Sequence, residues 1–311
     1  MKKEFTSSLI KIMKFVIILL MIDFLLGTIA KQIFFSQDTG KFARATHVIE
    51  DSEAKVMVFG SSHAHRHYVP KVFEQELQTT CYNAGAEGQQ LLFHTALQQM
   101  VLKRSKPDLL LLNIDEDFLY SSREAYDRLA DLHPYYSDHR DVLKPILEMG
   151  SPGIDFKLFF KSFQANSTLI HALRYYASPQ LDQKGYRPLY GKVKPSKNLK
   201  RFENLEAGDD IDPNFVITLE RFIAEAKDYG VPLVFVTSPN LLVTDYTNNE
   251  SLSKIREIAR KEQVLLLDFF NSETFLEQYQ LFHDTSHLNN DGAELFTKLV
   301  ADRIKELQHS K

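Results

Sequence analysis

The sequence predicts an α/β fold, a doubly wound parallel sheet of five strands. Three observations predict it: short apolar runs recur along the chain, amphipathic stretches of helix length separate or follow them, and turn residues bound the runs. Continuous aliphatic and β-branched runs suit strands that are buried on both faces, as in parallel sheets. Their alternation with helices indicates the doubly wound arrangement.

Five apolar runs are the predicted strands, at residues 55–59, 79–83, 108–114, 231–237 and 263–269. Five amphipathic stretches are the predicted helices, at residues 69–78, 89–103, 213–229, 251–261 and 291–308. In the last of these helices the apolar residues recur on one face. Gly230 follows the third predicted helix, and glycine is typical of the position just beyond a helix C-terminus. The α/β domain is therefore assigned to residues 55–311.

Residues 120–211 interrupt this alternation, because they contain no convincing buried strand. They are rich in Tyr, Phe, Lys, Arg, Pro and His, with helical patterns at 158–163 and 168–176 and an extended basic loop at 185–198. We interpret this stretch as a mainly helical insertion after the third strand. It is either a lid or substrate platform, or a structural elaboration without a role in function.

Residues 1–31 are predicted to be a membrane anchor or a signal segment. Residues 9–30 are apolar except for Lys11, Lys14 and Asp23. As a helix they rise about 33 Å, enough for a hydrocarbon core of about 30 Å if the two lysines extend to the headgroups. Small residues near the end of the segment offer a cleavage site. An uncleaved anchor, a cleaved signal peptide and a buried core helix all remain open, and we favour the anchor.

Residues 32–54 are polar and lack clear periodicity, so they are predicted to be a juxtamembrane linker. The short tail before the apolar segment favours a cytoplasmic N-terminus. We therefore expect a single N-terminal transmembrane helix, with the α/β domain outside the cytoplasm. Asp23 either marks a partner within the membrane or lies on a tolerant helix face.

The composition of the chain argues against some classes of function and of site. The formal net charge of −4 leaves no basic surplus, so we expect no nucleic-acid partner. The chain is 44% apolar and 25% charged, which is typical of a protein with a real core. Its single cysteine, Cys81, provides neither an intramolecular disulfide nor a thiolate zinc cluster. We expect no cofactor.

Polar loops follow the predicted strands at the edge where open parallel sheets bind ligands. Residues 60–63, G-S-S-H, follow the first strand, and residues 83–89, N-A-G-A-E-G-Q, follow the second. The second loop precedes a helix, where unpaired backbone N–H groups and the helix dipole favour negative charge. Residues 283–289, H-D-T-S-H-L-N, precede the last helix.

The three loops together predict a serine nucleophile with an acid–base pair. Asp284 lies three residues before His287, so its carboxylate can bond the imidazole Nδ1 and leave Nε2 free for a serine proton. A serine hydroxyl such as that of Ser62 is a weak nucleophile until such a base activates it. The anionic intermediate then needs N–H donors, for which the backbone amides of Ser62 and Gly88 are the candidates. Each piece alone is common by chance, and their order at the strand ends carries the prediction.

These loops resemble the motif blocks of the SGNH (GDSL-like) hydrolase superfamily. Residues 60–62 are similar to its first block, G-D-S, with a different middle residue, and the resemblance implies that Ser62 is the nucleophile. Residues 83–88 are similar to N-x-x-x-x-G, which implies that Gly88 belongs to the oxyanion hole. Residues 284–287 match D-x-x-H. The resemblance implies a flavodoxin-like sheet of the SGNH hydrolase type and ester chemistry.

The third block of the family differs in this chain. The family has G-x-N-D after the next strand, with the asparagine donating to the oxyanion, whereas residues 113–118 read N-I-D-E-D-F. Asp117 falls near the asparagine's place, and a carboxylate donates only when protonated. This departure, the G-S-S variant and the anchor are similar to membrane-tethered proteins of the D-alanyl-transfer and alginate O-acetylation type. That similarity implies acyl transfer on cell-envelope polymers and a membrane acyl-donor protein as a partner.

The histidines His63, His65 and His67 form H-x-H-x-H, which on a strand would suit a metal ion. The segment is predicted to begin a helix, where residues spaced by two do not align, so we predict no metal site. The residues predicted to line the mouth of the pocket are His63, Arg66, Asp117 and His283, the last being solvated in the alternative interpretation.

Three functions remain open at this point. The first is an esterase that removes an acetyl or other short acyl group from a cell-envelope or extracellular glycan. The second is an O-acyltransferase that uses the same triad and passes the acyl group to a polymer hydroxyl instead of water. The third is a scaffold or binding protein that keeps the fold without catalysis.

Overall fold

The computed structural model describes residues 2–165, 168–200 and 208–309 of the chain. The rest of the predicted insertion, residues 166–167 and 201–207, lies outside the described residues. The chain divides into two compact units. The helical unit comprises residues 1–43 and 129–180, and the α/β unit comprises residues 44–128 and 181–311.

The α/β unit contains the predicted parallel sheet. Its strands are β1 (Val56–Phe59), β2 (Cys81–Asn83), β3 (Leu109–Ile114), β4 (Leu233–Thr237) and β5 (Leu265–Leu267). All neighbouring pairs are parallel, in the order β2-β1-β3-β4-β5. This is the flavodoxin-like strand order. The predicted α/β fold and the five strands are confirmed, and each strand begins and ends within two residues of its prediction.

Among the described residues there are thirteen α-helices, twelve of them wholly within one unit or the other. Their bounds are α1 (Lys2–Phe35), α2 (Gly40–Thr46), α3 (Ser62–His67), α4 (Pro70–Leu77), α5 (Leu91–Arg104), α6 (Arg123–Asp127), α7 (Arg140–Gly150), α8 (Ile154–Leu158), α9 (Lys161–Gln164), α10 (Leu169–Ala177), α11 (Pro213–Asp228), α12 (Glu250–Lys261) and α13 (Asn290–His309). Short 3₁₀ turns occupy Arg128–Tyr135 and Tyr279–Leu281, and a π turn occupies His47–Asp51.

Helices cover both faces of the sheet. Successive residues of a strand point to opposite faces, so a strand that is apolar throughout presents apolar side chains to both layers of helices. On one face Val58 and Leu111 belong to the apolar cluster that includes Phe296 of α13. On the other face Phe59 of β1 meets Phe222 of α11, with their ring centroids 5.8 Å apart. The central strands are buried on both faces, which explains why their sequences are continuous apolar runs.

The helical unit packs α1 against α9 and α10. Asp23 of α1 caps the start of α9, since its carboxylate accepts hydrogen bonds from the backbone N–H of Lys161 at 2.8 Å and of Ser162 at 3.2 Å. A Cβ at Gly27 would collide with Lys161, so the close approach of the two helices requires glycine there. Asp23 therefore has a structural partner within the chain.

Residues 32–54, predicted to be an irregular linker, are mostly helical. The structure continues α1 to residue 35 and adds α2 and the π turn. Phe34 and Phe42 are buried and in ring contact, and Val48 is also buried. These few apolar anchors do not produce a recognisable period in the sequence, but tertiary packing stabilises the helices that carry them.

Helix α1 contains the predicted membrane segment, residues 9–30, and extends beyond both of its ends. Its apolar side chains are mostly exposed from Phe5 to Ile29. Among the residues that the structure describes, no helix has both the length and the apolarity that define a membrane span. The prediction of a transmembrane helix is therefore corrected. Residues 9–30 do form a helix, but Lys11, Lys14 and Asp23 interrupt its apolar sequence.

Candidate functional site

A sharp turn after β1 places Ser62 at the start of a helix. Gly60 has φ of +139°, and a Cβ there would lie 2.8 Å from the Cβ of Asn113, so both the backbone angle and the close packing favour glycine. Ser61 caps α3, its hydroxyl accepting a hydrogen bond from the backbone N–H of His63 at 3.3 Å. Ser62 is thus the first helical residue, beside the carboxyl edge of the sheet.

Ser62, His287 and Asp284 come together in one hydrogen-bonded row. Ser62 Oγ lies 2.9 Å from His287 Nε2, and His287 Nδ1 lies 3.1 Å from Asp284 Oδ2. The serine and the histidine are 225 positions apart in the chain, and the sheet brings them together. This is the arrangement in which an imidazole removes a serine proton while a carboxylate holds the ring. The three residues are those that the sequence predicted for this role.

Asp284 is held as a carboxylate by its surroundings. Its Oδ1 accepts hydrogen bonds from the backbone N–H groups of Ser286 at 2.8 Å and His287 at 2.7 Å. Partial burial raises the pKa of Asp284, but the hydrogen bond and charge of His287, together with the two N–H donors, outweigh this effect and hold the pKa well below its ordinary value. An acceptor-only carboxylate assigns the proton of His287 to Nδ1, which leaves Nε2 free to accept.

A second imidazole lies directly beside this row. His63 Nδ1 is 2.6 Å from Asp115 Oδ1, and His63 Nε2 is 3.0 Å from Ser286 Oγ. Asp115 also accepts hydrogen bonds from the Ser61 hydroxyl and from the side-chain amide of Asn113, the latter at 3.0 Å. His63 was predicted at the pocket mouth, and the structure places it in a polar network that joins the end of β3 to the loop of His287.

Sequence reasoning missed Asp115 and Ser286. Asp115 comes directly after the third predicted strand, at the sheet edge where polar residues were sought, and this position was the available signal. Ser286 lies inside the D-x-x-H block, where its side chain had no predicted role. Only the folded chain shows that both contact His63, the residue next to Ser62.

Asn83 fastens the loop after β2, residues 83–89, to α3. Its side-chain amide donates to the backbone carbonyls of Ala64 at 2.7 Å and Tyr68 at 2.8 Å, and its Oδ1 accepts from the N–H of Gly85 at 2.9 Å. Asn83 is fully buried. The asparagine that begins the N-x-x-x-x-G block thus holds the glycine-bearing loop in place beside the helix of Ser62.

Gly88 lies in this loop with φ of +70°, a left-handed conformation that favours glycine. A Cβ at this position would collide with the guanidinium of Arg128. Both facts explain why the position requires glycine. The assignment of the Gly88 and Ser62 amides as oxyanion donors stays a prediction.

The end of β3 does not offer the asparagine donor of the family's third block. Asn113 is fully buried, and its Oδ1 accepts hydrogen bonds from the hydroxyls of Tyr68 and Ser238, each at 2.8 Å. Its side chain therefore joins β3 to the end of α3 and to the end of β4. The role predicted for Asp117 at the pocket mouth stays a prediction.

Arg66 and His283, also predicted at the pocket mouth, connect loops to one another. Arg66 is almost fully buried, and its guanidinium donates to Glu87 Oε1 at 3.1 Å and to the carbonyl of Arg187 at 2.9 Å. His283 Nδ1 lies 2.6 Å from the carbonyl oxygen of Tyr190. Both contacts fix the loops around the site, and any contact with substrate stays a prediction.

The other two histidines of H-x-H-x-H are buried within α3 and its packing. His65 and His67 have no exposed surface, and burial, together with nearby positive groups, lowers the pKa of each well below its ordinary value. His67 Nε2 accepts a hydrogen bond from the backbone N–H of Leu288 at 3.0 Å. His67 therefore supports the loop of His287 as a neutral ring.

No family model matches the chain, and no curated protein matches its sequence. Several solved structures are similar. A protein described as lipolytic, of the G-D-S-L family, from Desulfitobacterium hafniense DCB-2 shares 11% identity over 80% of this chain and 98% of its own, with a TM-score of 0.39. An acetyl xylan esterase shares 13% identity over 81% of this chain and 98% of its own, with a TM-score of 0.40. A variant of an acetyl-xylooligosaccharide esterase from Geobacillus shares 11% identity over 80% of this chain and 92% of its own, with a TM-score of 0.39.

Proposed function

We propose that this chain is a serine hydrolase of the SGNH type that acts on ester bonds. The observation that carries the proposal is the row of Ser62, His287 and Asp284, with a 2.9 Å contact between the hydroxyl and the imidazole Nε2. The carboxylate of Asp284 has a depressed pKa, so it remains ionised and stabilises the imidazolium that forms when His287 takes a proton.

The geometry supports a two-step reaction. Ser62 Oγ attacks the carbonyl carbon of the ester while His287 Nε2 takes the hydroxyl proton. The resulting oxyanion lies at the N-terminus of α3, where the amides of Ser62 and Gly88 are its proposed donors. The bond to the alcohol oxygen then breaks, and His287 returns the proton to that oxygen. Water repeats the sequence on the acyl-enzyme and releases the acid.

For the substrate we propose a short acyl ester, such as acetyl, on a cell-envelope or extracellular glycan. This step follows the motif resemblance to proteins that act on envelope polymers. Transfer of the acyl group to a polymer hydroxyl uses the same acyl-enzyme and differs only in the second nucleophile. The ratio of free acetate to acetylated acceptor, measured with an added oligosaccharide, distinguishes the two reactions.

The test of the proposed function uses the full chain in detergent with p-nitrophenyl acetate and a fluorophosphonate probe. We expect Ser62→Ala to lose at least about 10³-fold in kcat and all covalent labelling. The matched control is Ser61→Ala, which removes a helix cap worth about 1 kcal/mol and a hydrogen bond to Asp115 but leaves the nucleophile in place. Equal activity in Ser62→Ala and wild type would exclude catalysis by this triad and leave the scaffold function.

We also propose that the chain attaches to a membrane through residues 9–30, with the α/β unit outside the cytoplasm. The support is the exposed apolar surface of α1 and, within the same helical unit, the exposed Phe156, Phe159 and Ile170. Sedimentation of the protein with membranes after a carbonate wash tests the attachment. A reporter fused to the C-terminus tests the side, and reporter activity in the cytoplasm would contradict it.

A further inference from the structure

His63 connects two parts of the site that are distant in sequence. One ring nitrogen contacts Asp115, which follows β3, and the other contacts Ser286, which lies between the two predicted triad residues of the catalytic loop, residues 284–287. The ring is also next to Ser62 in the chain. Its centroid lies 5.4 Å from that of His287. His63 is therefore adjacent both to the proposed nucleophile and to its proposed base.

The surroundings of His63 favour its charged form. Burial alone lowers the pKa of His63, but the charge and hydrogen bond of Asp115, with Glu116 and Asp117 nearby, outweigh burial and raise it to about 9. Asp115 itself is buried, and the same pair with His63, together with the Ser61 hydroxyl, keeps its pKa below the ordinary value. The two side chains thus form an ion pair at neutral pH.

Beyond Glu116 and Asp117, the ionisable groups around this pair include imidazoles, the catalytic carboxylate and the buried Tyr68, whose pKa burial and the charge of Asp115 raise well above its ordinary value. On α3, the ring of His67 lies 5.0 Å from that of His63, and burial lowers the pKa of His67, so it is neutral. On α5, His94 acts on Asp115, and burial lowers the pKa of His94 to about 3. On the catalytic loop, Asp284 is paired with His287. The positive charge opposite Asp115 therefore belongs to His63.

The row of Ser286, His63 and Asp115 has the connectivity of a second nucleophilic triad, and the charge of His63 decides against that function. An imidazolium donates from both nitrogens and has no lone pair for the proton of Ser286. Ser286 Oγ is then the acceptor of a charged hydrogen bond, the kind worth about twice a neutral one. The row holds a loop and does not activate a hydroxyl.

We infer that His63 is a positioning residue for the proposed hydrolase: as a cation bound to Asp115, it holds Ser286 and with it the catalytic loop against Ser62. The inference rests on the proposed function for its effect on rate. The structure and charge of the His63 row can be measured without any reaction, and this keeps the two proposals separable.

The direct test is nitrogen-15 NMR of the histidine rings in the full chain in detergent micelles, with His63→Asn to assign the signal. We expect His63 to be an imidazolium at pH 7, to titrate near pH 9, and to become neutral at pH 7 in Asp115→Asn. A neutral His63 at pH 7 in the wild-type chain would overturn the inference, whether or not the protein hydrolyses esters.

The kinetic test is a double-mutant cycle of His63→Asn and Ser286→Ala. Each variant should lose about 10- to 100-fold in kcat with KM within about threefold, and the double variant should lose no more than the worse single one. Wild type should lose activity above pH 9, where His63 becomes neutral. His63→Arg, which keeps the charge, should recover most of the rate and show no such loss. Additive losses, or no rescue by arginine, would contradict a charged positioning role.

Covalent labelling tests the alternative in which His63 acts as a base and Ser286 is a nucleophile. In Ser62→Ala the fluorophosphonate should leave Ser286 unmodified at pH 7, as shown by mass spectrometry of the digested protein. An adduct on Ser286 would show that His63 acts as a base and would overturn the inference. If wild type is also unlabelled at Ser62, the proposed hydrolase fails, and the NMR result still decides the charge of His63.

Discussion

The substitution Asp284→Asn tests the chemistry of the site with almost no change in shape. The asparagine Oδ1 can still accept from the backbone N–H groups of Ser286 and His287, so the loop should keep its fold. Its amide would then donate to His287 Nδ1. That contact moves the ring proton to Nε2, which can no longer accept the proton of Ser62.

The magnitude follows from the charge that is lost. A carboxylate oxygen 3.1 Å from the imidazolium nitrogen stabilises it by about 5 kcal/mol at an effective dielectric constant of about 20. That energy corresponds to a factor of about 10⁴ in rate. The Asp284 side chain is 48% exposed, so solvent screens part of the interaction. We therefore expect kcat to fall between about 10²- and 10⁴-fold.

The assay is hydrolysis of p-nitrophenyl acetate by the full chain from pH 6 to 9, with circular dichroism to show that the variant is folded. Fluorophosphonate labelling of Ser62 should slow by a similar factor, because it needs the same base. A folded Asp284→Asn variant with kcat within tenfold of wild type would refute the assignment of Asp284 as the partner of His287.

Three further predictions concern the scaffold of the site. Gly88→Ala introduces strain at positive φ and a collision with Arg128, so esterase activity should fall at least about tenfold in a folded protein; unchanged activity would separate this loop from catalysis. Asn83→Ala removes three buried hydrogen bonds, and urea unfolding should show a loss of about 2–4 kcal/mol, whereas a loss below about 1 would contradict this account. His94 has a folded pKa of about 3, below the ordinary 6.5, so its contribution to stability is present above pH 6.5 and is lost as the pH falls toward 3. His94→Gln should therefore reduce the loss of unfolding free energy between pH 7 and pH 5 by about 2 kcal/mol, and an unchanged loss would show that His94 is not buried neutral.

The parts of the fold that local sequence determines were predictable. A strand buried on both faces must be apolar throughout, so β1 and β3 are visible as runs, and their alternation with helices gives the topology. The order of the serine block and the D-x-x-H block also predicted which side chains meet. Contacts between polar residues that no motif contains were not predictable, because nothing in the sequence around Asp115 indicates Ser286 as a neighbour.

The composition of the helical unit was likewise not predictable from local sequence patterns. Residues 129–180 form one compact unit with residues 1–43, although the 85 residues from 44 to 128 separate the two segments. The sequence suggested an insertion in the α/β domain and a separate anchor, since each pattern is local. The cap of α9 by Asp23 depends on an isolated charge in an apolar helix, which without the structure suggests a partner in the membrane equally well.

That cap has a consequence for the maturation of the protein. A peptidase that cut near residue 30 would remove Asp23 from the start of α9 and would remove Gly27 from its contact with Lys161. The N–H groups of Lys161 and Ser162 would lose their acceptor, and α9 and α10 would lose the helix they pack on. The segment that resembles an export signal is thus also a building element of the helical unit, and we expect the mature chain to retain it.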